Sequence, residues 1–151
     1  MTTVAMSGND TITINGTPIT DLANADCVIL TFPDDIATVK TGKNGNSIYG
    51  LNESGRQAEA KIKVMRASTD DIFLNNLLNA QRNAFDSFTL LTGTFIKKVG
   101  NGQGSVSSDT YSLSGGVFSK NVESKMNVEG DTDQSTSTYT IRFSNAPRAI
   151  T

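Results

Sequence analysis

The chain has 151 residues and a mass of 16.1 kDa, a length that fits one domain with a moderate core. Its 13 Lys and Arg are set against 15 Asp and Glu, for a net charge of -2, so the basic excess of a tight duplex-DNA binder is missing. There is no His and only one Cys, Cys27, which excludes an intramolecular disulfide and nearly excludes a zinc site or a thiol pair.

The N-terminal part of the chain shows two β segments. The N-terminus does not resemble a secretory signal, and no stretch of the chain approaches the roughly 20 apolar residues of a membrane span. We therefore expect the protein to be made and folded in a cytoplasm. Residues 10–14 alternate polar and apolar side chains, and the Asn-Gly pair at 15–16 is a strong signal for a two-residue hairpin. Pro18 lacks an N–H, which places this hairpin at a sheet edge. The apolar run at residues 27–32 predicts a strand buried on both faces, with Cys27 as an inert core residue.

Residues 41–55 have a different composition, with four glycines and three asparagines. Connections of this length are usually either functional or disordered. The large apolar side chains Ile48, Tyr49 and Leu51 in the middle argue against a freely solvated linker, so we predict an extended arm or hairpin that rests on another surface. The predicted arm comprises Thr41, Gly42, Lys43, Asn44, Gly45, Asn46, Ser47, Ile48, Tyr49, Gly50, Leu51, Asn52, Glu53, Ser54 and Gly55.

The clearest periodic patterns lie in the middle of the chain. Residues 57–66 alternate apolar with polar side chains, which is the period of a half-buried strand. A helix is predicted next, over about residues 69–82. Either residue of the Ser-Thr pair at 68–69 can cap it, and two aspartates at 70–71 lie in its first turn, where the helix dipole favours negative charge. Leucines at helical spacing follow.

The C-terminal half of the sequence is predicted to be β. We expect strands at residues 88–99, 110–113, 117–125 and 134–143, a break at the Gly-Gly pair 115–116, and turns at 100–104 and 129–133. Several strands, one helix and again several strands indicate a single domain over residues 1–151. The simplest packing is a β-sandwich or closed barrel flanked by the helix.

The candidate catalytic and metal-binding groups each have a simpler interpretation. Asp70 and Asp71 would point about 100° apart on a helix, so they would not share a site. Glu129, Asp131 and Asp133 offer oxygens at alternate positions but lack the other ligands of a calcium loop. The glycine run at residues 100–104 lies between strands, unlike a phosphate-binding loop before a helix.

Ser54 lies in a Glu-Ser-Gly sequence, a weak likeness to a nucleophile elbow. A chain without histidine cannot build a Ser-His-Asp triad. A Ser-Lys arrangement stays open, although no diagnostic spacing supports it. We therefore predict that the protein is not an enzyme and needs neither a metal nor a cofactor.

Charged side chains are concentrated in one basic and one acidic stretch. One interpretation of the basic stretch is a solvated strand face. The other is a basic surface that meets the acidic stretch of a neighbouring copy. Such head-to-tail contacts generate rings when the rotation closes and filaments when it does not. The candidate contact residues are Lys61, Lys63, Arg66, Glu123, Glu129, Asp131 and Asp133.

The order of turn and cap signals, together with the total length, resembles the tail tube proteins of contractile-tailed, myovirus-type bacteriophages. The resemblance covers nearly the whole chain, although no single motif is specific. The segments that carry it are GKNG at 42–45, NESG at 52–55, RASTDD at 66–71, LLTG at 90–93, YSLSGG at 111–116 and NVEGD at 127–131.

This resemblance implies a structural subunit of a virion, assembled in the bacterial host cytoplasm. It implies hexameric rings, joined sheet edge to sheet edge and stacked into a tube for genome ejection. The implied partners are further copies of the chain, a sheath protein outside, and a tape-measure protein and DNA inside, without sequence-specific binding. By position, residues 41–55 would be the arm that reaches a neighbouring subunit or ring.

Two alternatives stay open at this point. The first is the tube of a tail-derived device, either a contractile bacteriocin or a type VI secretion tube, which the sequence does not separate from a virion tube. The second is a monomeric β-sandwich that binds a ligand such as a carbohydrate. The absence of Trp and the presence of only three Tyr argue against the aromatic platform that such sites often use.

Overall fold

The computed structural model describes residues 3–8, 10–24 and 26–151, and within them it confirms a mainly β chain with one helix. The helix is α1 (Thr69–Asn83), and short 3-10 turns cover Lys43–Gly45, Glu53–Arg56 and Thr132–Ser135. The strands are β1 (Ala5–Met6), β2 (Thr11–Ile14), β3 (Thr17–Pro18), β4 (Val28–Thr31), β5 (Ala37–Thr41), β6 (Ser47–Leu51), β7 (Ala58–Met65), β8 (Leu91–Gly100), β9 (Val106–Phe118), β10 (Glu123–Ser124), β11 (Thr136–Asn145) and β12 (Arg148–Ile150).

Most of the strands belong to one antiparallel sheet. Its main path runs β3-β2-β8-β9-β11-β7-β4, with β1 beside β8, β10 beside β11 and β12 beside β9. The sheet curls, so that Ile12 of β2 and Phe95 of β8 line the same slot as Val28 and Leu30 of β4. In the described ranges no ladder joins β4 to β3, so the two halves face each other as in a sandwich and no closed barrel forms.

The core lies on the concave side of this sheet. The predicted alternation in β7 is confirmed, because every second residue from Ala58 to Val64 is buried and lies against the same cluster as β11. Tyr139 of β11 meets the ring of Phe118 edge-on, at 6.0 Å between centroids. The buried hydrophobic residues are Ile14, Ile19, Ala58, Ala60, Ile62, Val64, Leu74, Leu78, Leu91, Phe95, Leu113, Phe118, Tyr139, Ile141, Phe143 and Ala146.

The predicted helix is confirmed within one residue at its end. It begins after Ser68, whose Oγ accepts a hydrogen bond from the backbone N–H of Asp71 at 3.2 Å, the geometry of an N-cap. Leu74 and Leu78 are buried against the sheet. The helix therefore closes one side of the core.

The two first-turn aspartates do more than complement the helix dipole. Asp70 is buried, and its Oδ2 accepts the backbone N–H groups of Thr20 at 2.7 Å and Asp21 at 2.6 Å. Asp71 accepts the hydroxyl proton of Tyr139 at 2.5 Å on Oδ1. The helix N-terminus is thus bonded to the chain after β3 and to the centre of β11.

We expect the protein to lose stability in alkali because of Tyr139. Burial and the Asp71 carboxylate raise the pKa of Tyr139 above its ordinary value. A group with a raised folded pKa stabilises fully below its unfolded pKa of about 10 and loses that contribution as pH rises beyond it. Urea unfolding between about pH 9 and 12 should show the free energy of unfolding falling by up to about 1.4 kcal/mol per pH unit. In the Tyr139→Phe variant the free energy of unfolding should fall less steeply with pH. Equal slopes in the two proteins would contradict the assignment to Tyr139.

Strand β4 corrects one prediction. The strand in residues 27–32 is present, but its residues alternate between half-buried and exposed. Val28 and Leu30 pack against the core, whereas Ile29 and Thr31 face outward. Ile29 is 41% exposed, and Cys27 is only half-buried. The prediction of a strand buried on both faces, with Cys27 in the core, was therefore wrong.

Strand β9 corrects a second prediction. The Gly-Gly pair does not break the strand, which runs without interruption from Val106 to Phe118. Gly115 has a φ of +65°, and a Cβ on Gly116 would come within 2.6 Å of the Phe143 ring. The glycines therefore allow β9 to pass under a core aromatic residue. The predicted strand at 117–125 ends at Phe118, and only the short β10 follows.

Candidate assembly interface

The predicted arm is a β-hairpin that stands apart from the large sheet. Strands β5 and β6 form a separate two-stranded sheet, with Val39 opposite Tyr49 and Ala37 opposite Leu51. The turn is closed by a hydrogen bond from the N–H of Gly42 to the carbonyl of Asn46 at 2.6 Å. Every residue of both strands is exposed. Isolated two-stranded hairpins are at best marginally stable in water, so this hairpin needs a partner surface.

The hairpin has one apolar face. Paired residues of an antiparallel ribbon project on the same side, so Ala37, Val39, Tyr49 and Leu51 share one face. Val39 is 63% exposed, Tyr49 75% and Leu51 73%. The other face carries the pairs of Thr38 with Gly50 and Lys40 with Ile48. Contiguous exposed apolar side chains of this kind mark interaction surfaces.

The base of the hairpin is fixed to the body of the domain. The N–H of Asn52 donates to the carbonyl of Ile36 at 3.0 Å. Gly55 is buried, and a Cβ there would lie 2.6 Å from the Ile36 Cα and 2.7 Å from the Asp35 carbonyl oxygen. The two backbones meet more closely than any side chain allows, so the hairpin leaves the domain from a tightly packed root.

Four of the charged residues that were predicted to contact a neighbouring copy lie together within a single chain. Lys61 and Lys63 of β7 share a groove of about 690 Å³ with Glu123 of β10 and with Asp133. Lys63 and Glu123 lie close together because β11 pairs with both β7 and β10, and both residues are cross-strand neighbours of Thr138. The prediction that these residues contact a neighbouring copy stays untested, but they do not form two separate surfaces.

Arg66 organises the acidic loop, which we define as residues 125–134. Its Nη1 donates to the carbonyl of Lys125 at 2.8 Å and to the carbonyl of Gln134 at 3.2 Å. The two ends of the loop are thereby held by one guanidinium. Arg66 acts inside its own chain here, and its predicted contact with a second copy stays a prediction.

A smaller, mostly apolar slot marks the place where the curled sheet stays open. Its volume is about 370 Å³, and its lining includes Ile12, Val28, Leu30 and Phe95. No described strand pairs with the outer side of β4. Unpaired sheet edges are templates for another chain. The slot and this edge lie together, just before the chain enters the hairpin.

A charge network fastens the C-terminal strand near this slot. The Arg148 guanidinium donates to both carboxylate oxygens of Asp109, at 2.7 and 2.6 Å, and lies 5.6 Å from the centre of the Tyr111 ring. The hydrogen bond from Arg148 lowers the pKa of Asp109. Asp109 and Tyr111 also line the slot. Arg148 therefore holds β12 on β9.

The candidate chemical groups named above take part in local hydrogen bonds. The Ser54 hydroxyl donates to the amide oxygen of Asn52 at 2.9 Å. Asp131 accepts two hydrogen bonds from the Asn127 amide, at 3.0 and 2.7 Å. The run at 100–104 is a turn, closed by a bond from Asn101 N to Ser105 O at 3.1 Å. None of the described helices has the length and apolar character of a membrane span.

Comparison with known proteins gives a likeness only to solved structures. The sequence matches no protein-family model, and no curated protein matches it. Among solved structures, the chain is similar to a chain of the "Cryo-EM structure of the anti-feeding prophage (AFP) baseplate, 6-fold symmetrised". The two share 13% sequence identity, with a TM-score of 0.49, over 99% of this chain and 97% of that one. A likeness of this size gives no information on function.

Proposed function

We propose that the chain is the tail-tube subunit of a contractile bacteriophage tail. It forms stacked hexameric rings around a channel for DNA delivery, inside a contractile sheath, and it catalyses no reaction. The observation that carries the proposal is the hairpin of β5 and β6, whose apolar face is uncovered in the single chain.

The hairpin is suited to a contact between copies. Its strands are paired and its root is packed, yet Val39, Tyr49 and Leu51 remain in water. Burying three such side chains would stabilise a contact by several kcal/mol, at about 25 cal/mol per Å² of apolar surface. A monomer gains nothing from this arrangement, whereas an assembled subunit gains a second contact beyond its sheet edges.

The open edge of β4 supports the same proposal. Sheets joined edge to edge around a ring require a free strand on each subunit. The β4 edge, from Val28 to Thr31, lies a few residues before the hairpin along the chain. Edge pairing within a ring and hairpin docking on a neighbour can therefore act together.

The charge balance is compatible with a DNA conduit. A channel without strong positive charge lets phosphates slide, because no array of cations holds them. The net charge of -2 agrees with such a channel. We propose a lumen lined by Asp, Glu, Ser and Thr, which encloses the tape-measure protein before it conducts DNA. A ring whose lumen is mainly Lys and Arg would contradict this part of the proposal.

Two other functions are separated from this one by experiment. The tube of a tail-derived device would use the same hairpin and the same sheet edge. DNA-filled heads in the same lysate would indicate a virion tube, and their absence a tail-derived device. A monomeric ligand-binding module is favoured by the groove of about 690 Å³ that holds Lys61 and Glu123, a volume within the usual range for small-molecule sites. Such a module would remain monomeric at high concentration.

Negative-stain microscopy and analytical ultracentrifugation of the purified protein test the proposal. We expect six-fold rings, and tubes of stacked rings as the protein concentration rises. The hairpin is expected to be mobile in the free subunit and fixed in the tube, which hydrogen exchange of residues 37–51 would show as added protection. A protein that stays a compact monomer at millimolar concentration would overturn the proposal.

A further inference from the structure

The acidic loop, residues 125–134, is held in one conformation by its own hydrogen bonds. Besides the Arg66 clamp on its ends, the N–H of Asn127 donates to the Gln134 side chain at 3.0 Å, and the Gln134 amide donates to the carbonyl of Glu129 at 2.7 Å. Asn127 also binds the Asp131 carboxylate. These bonds thus hold the loop backbone in a defined conformation.

This ordered loop presents two large apolar side chains to water. Met126 is 81% exposed, and Val128 is fully exposed at 107%. A loop that serves only to connect β10 with β11 has no need to fix such side chains outside. Methionine packs well against irregular partners because it is flexible and polarisable. We call these two exposed residues, which lie in the same loop as Glu129, Asp131 and Asp133, the apolar knob.

We infer that the acidic loop is the docking surface for the hairpin of a second copy of this chain. The inference rests on the proposed function and names the partner surface that the hairpin needs. The apolar face at Val39 and Tyr49 would cover Met126 and Val128. Neither surface is covered within one chain, since all four side chains are more than half exposed.

Charge complementarity supports this choice of partner. The hairpin carries Lys43 in its turn and has no acidic residue in either strand, whereas the loop carries Glu129 and Asp133 beside its apolar knob. In the described part of the chain none of these three side chains forms an ion pair. A basic hairpin and an acidic loop can thus approach without like-charge repulsion, which fixes register more than it adds affinity.

The contact is heterologous, because the hairpin and the loop are different surfaces. Each copy offers one of each, so one contact leaves a free hairpin at one end and a free loop at the other. Contacts of this type continue into rings or filaments. The inferred contact therefore produces the kind of assembly that the proposed function requires.

Cross-linking between two differently tagged chains tests the inference. Both chains carry Cys27→Ser; one also carries Tyr49→Cys and the other Val128→Cys. At concentrations that give rings or tubes, a short bis-maleimide should join the two chains in high yield. The matched control replaces Tyr49→Cys by Thr38→Cys, on the opposite hairpin face, and we expect at least about tenfold less product.

A charge exchange gives a second readout. Lys43→Glu alone, or Glu129→Lys alone, should raise the critical concentration for assembly by about tenfold, which corresponds to roughly 1.4 kcal/mol. The double variant should assemble near the wild-type concentration. Tubes that form without the Tyr49→Cys to Val128→Cys product, or without rescue in the double variant, overturn this inference alone. The absence of any wild-type assembly overturns the proposed function with it.

Discussion

Replacing Val39 or Tyr49 by aspartate is expected to abolish assembly and to leave the subunit folded. Both side chains lie on the apolar face of the hairpin and are 63% and 75% exposed in the single chain. The carboxylate is solvated in the monomer, but in an assembled contact it would be buried without a partner, at a cost of several kcal/mol. The critical concentration should rise by more than about 100-fold, as measured by sedimentation and microscopy.

The control for this prediction is Thr38→Asp, one residue from Val39 but on the opposite face. It adds the same charge to the same strand, so a general electrostatic effect would appear in both variants. We expect Thr38→Asp to assemble within a few-fold of wild type and all variants to unfold at the same temperature. Normal tubes from Val39→Asp, or equal loss in the control, would show that the apolar face is not an interface.

Gln81→Leu is expected to cause a large loss of monomer stability. Gln81 is buried, its Nε2 donates to the carbonyl of Phe118 at 2.9 Å, and its Oε1 accepts the Phe118 N–H at 2.7 Å. Its side chain thus pairs with the end of β9 as a neighbouring strand would. Leucine would leave both backbone groups buried without partners, at about 1–3 kcal/mol each.

Thermal and urea unfolding of the monomer measure this effect. We expect a loss of about 3 kcal/mol, which lowers the melting temperature by roughly 10 °C in a domain of this size. Asn79→Leu serves as control, because Asn79 is exposed on the same helix and should change stability by less than about 0.5 kcal/mol. Equal effects of the two substitutions would mean that the Gln81 hydrogen bonds contribute nothing.

Local patterns in the sequence were sufficient for the elements that depend on them. The alternation of residues 57–66 predicted β7, and the capping pair Ser68-Thr69 with its following aspartates predicted α1. The Asn-Gly pair predicted the turn between β2 and β3, where Asn15 and Gly16 have φ values of 51° and 78°. In each case the determining interaction lies within a few residues along the chain.

The wrong predictions concern interactions between distant residues. Gly116 is needed because Phe143, far along the chain, packs against it, and nothing near Gly116 in the sequence indicates that ring. The apolar run of β4 is one-sided because its outer face, at Ile29 and Thr31, is left exposed by the described chain, a property of tertiary packing and not of composition. Likewise, Lys63 and Glu123 share a groove only through the register of β11.

The candidate interface was only partly predictable. Its apolar residues Ile48, Tyr49 and Leu51 identified the arm, but the first strand of the hairpin, Ala37–Thr41, was not predicted. The alternation of Thr38 and Lys40 with Ala37 and Val39 is the signal that could have revealed it. The exposed knob of the acidic loop gave no periodic signal, because its conformation depends on the distant Arg66.

The root of the hairpin has a consequence for how the protein can diversify. Both strands leave the domain side by side, where Asn52 bonds to Ile36 and Gly55 packs on it. We therefore expect the length and sequence of the hairpin beyond that point to be changeable without disturbing the folded body. A change confined to about fifteen residues could then alter which copies recognise each other, and foreign epitopes or reporter peptides could be grafted there.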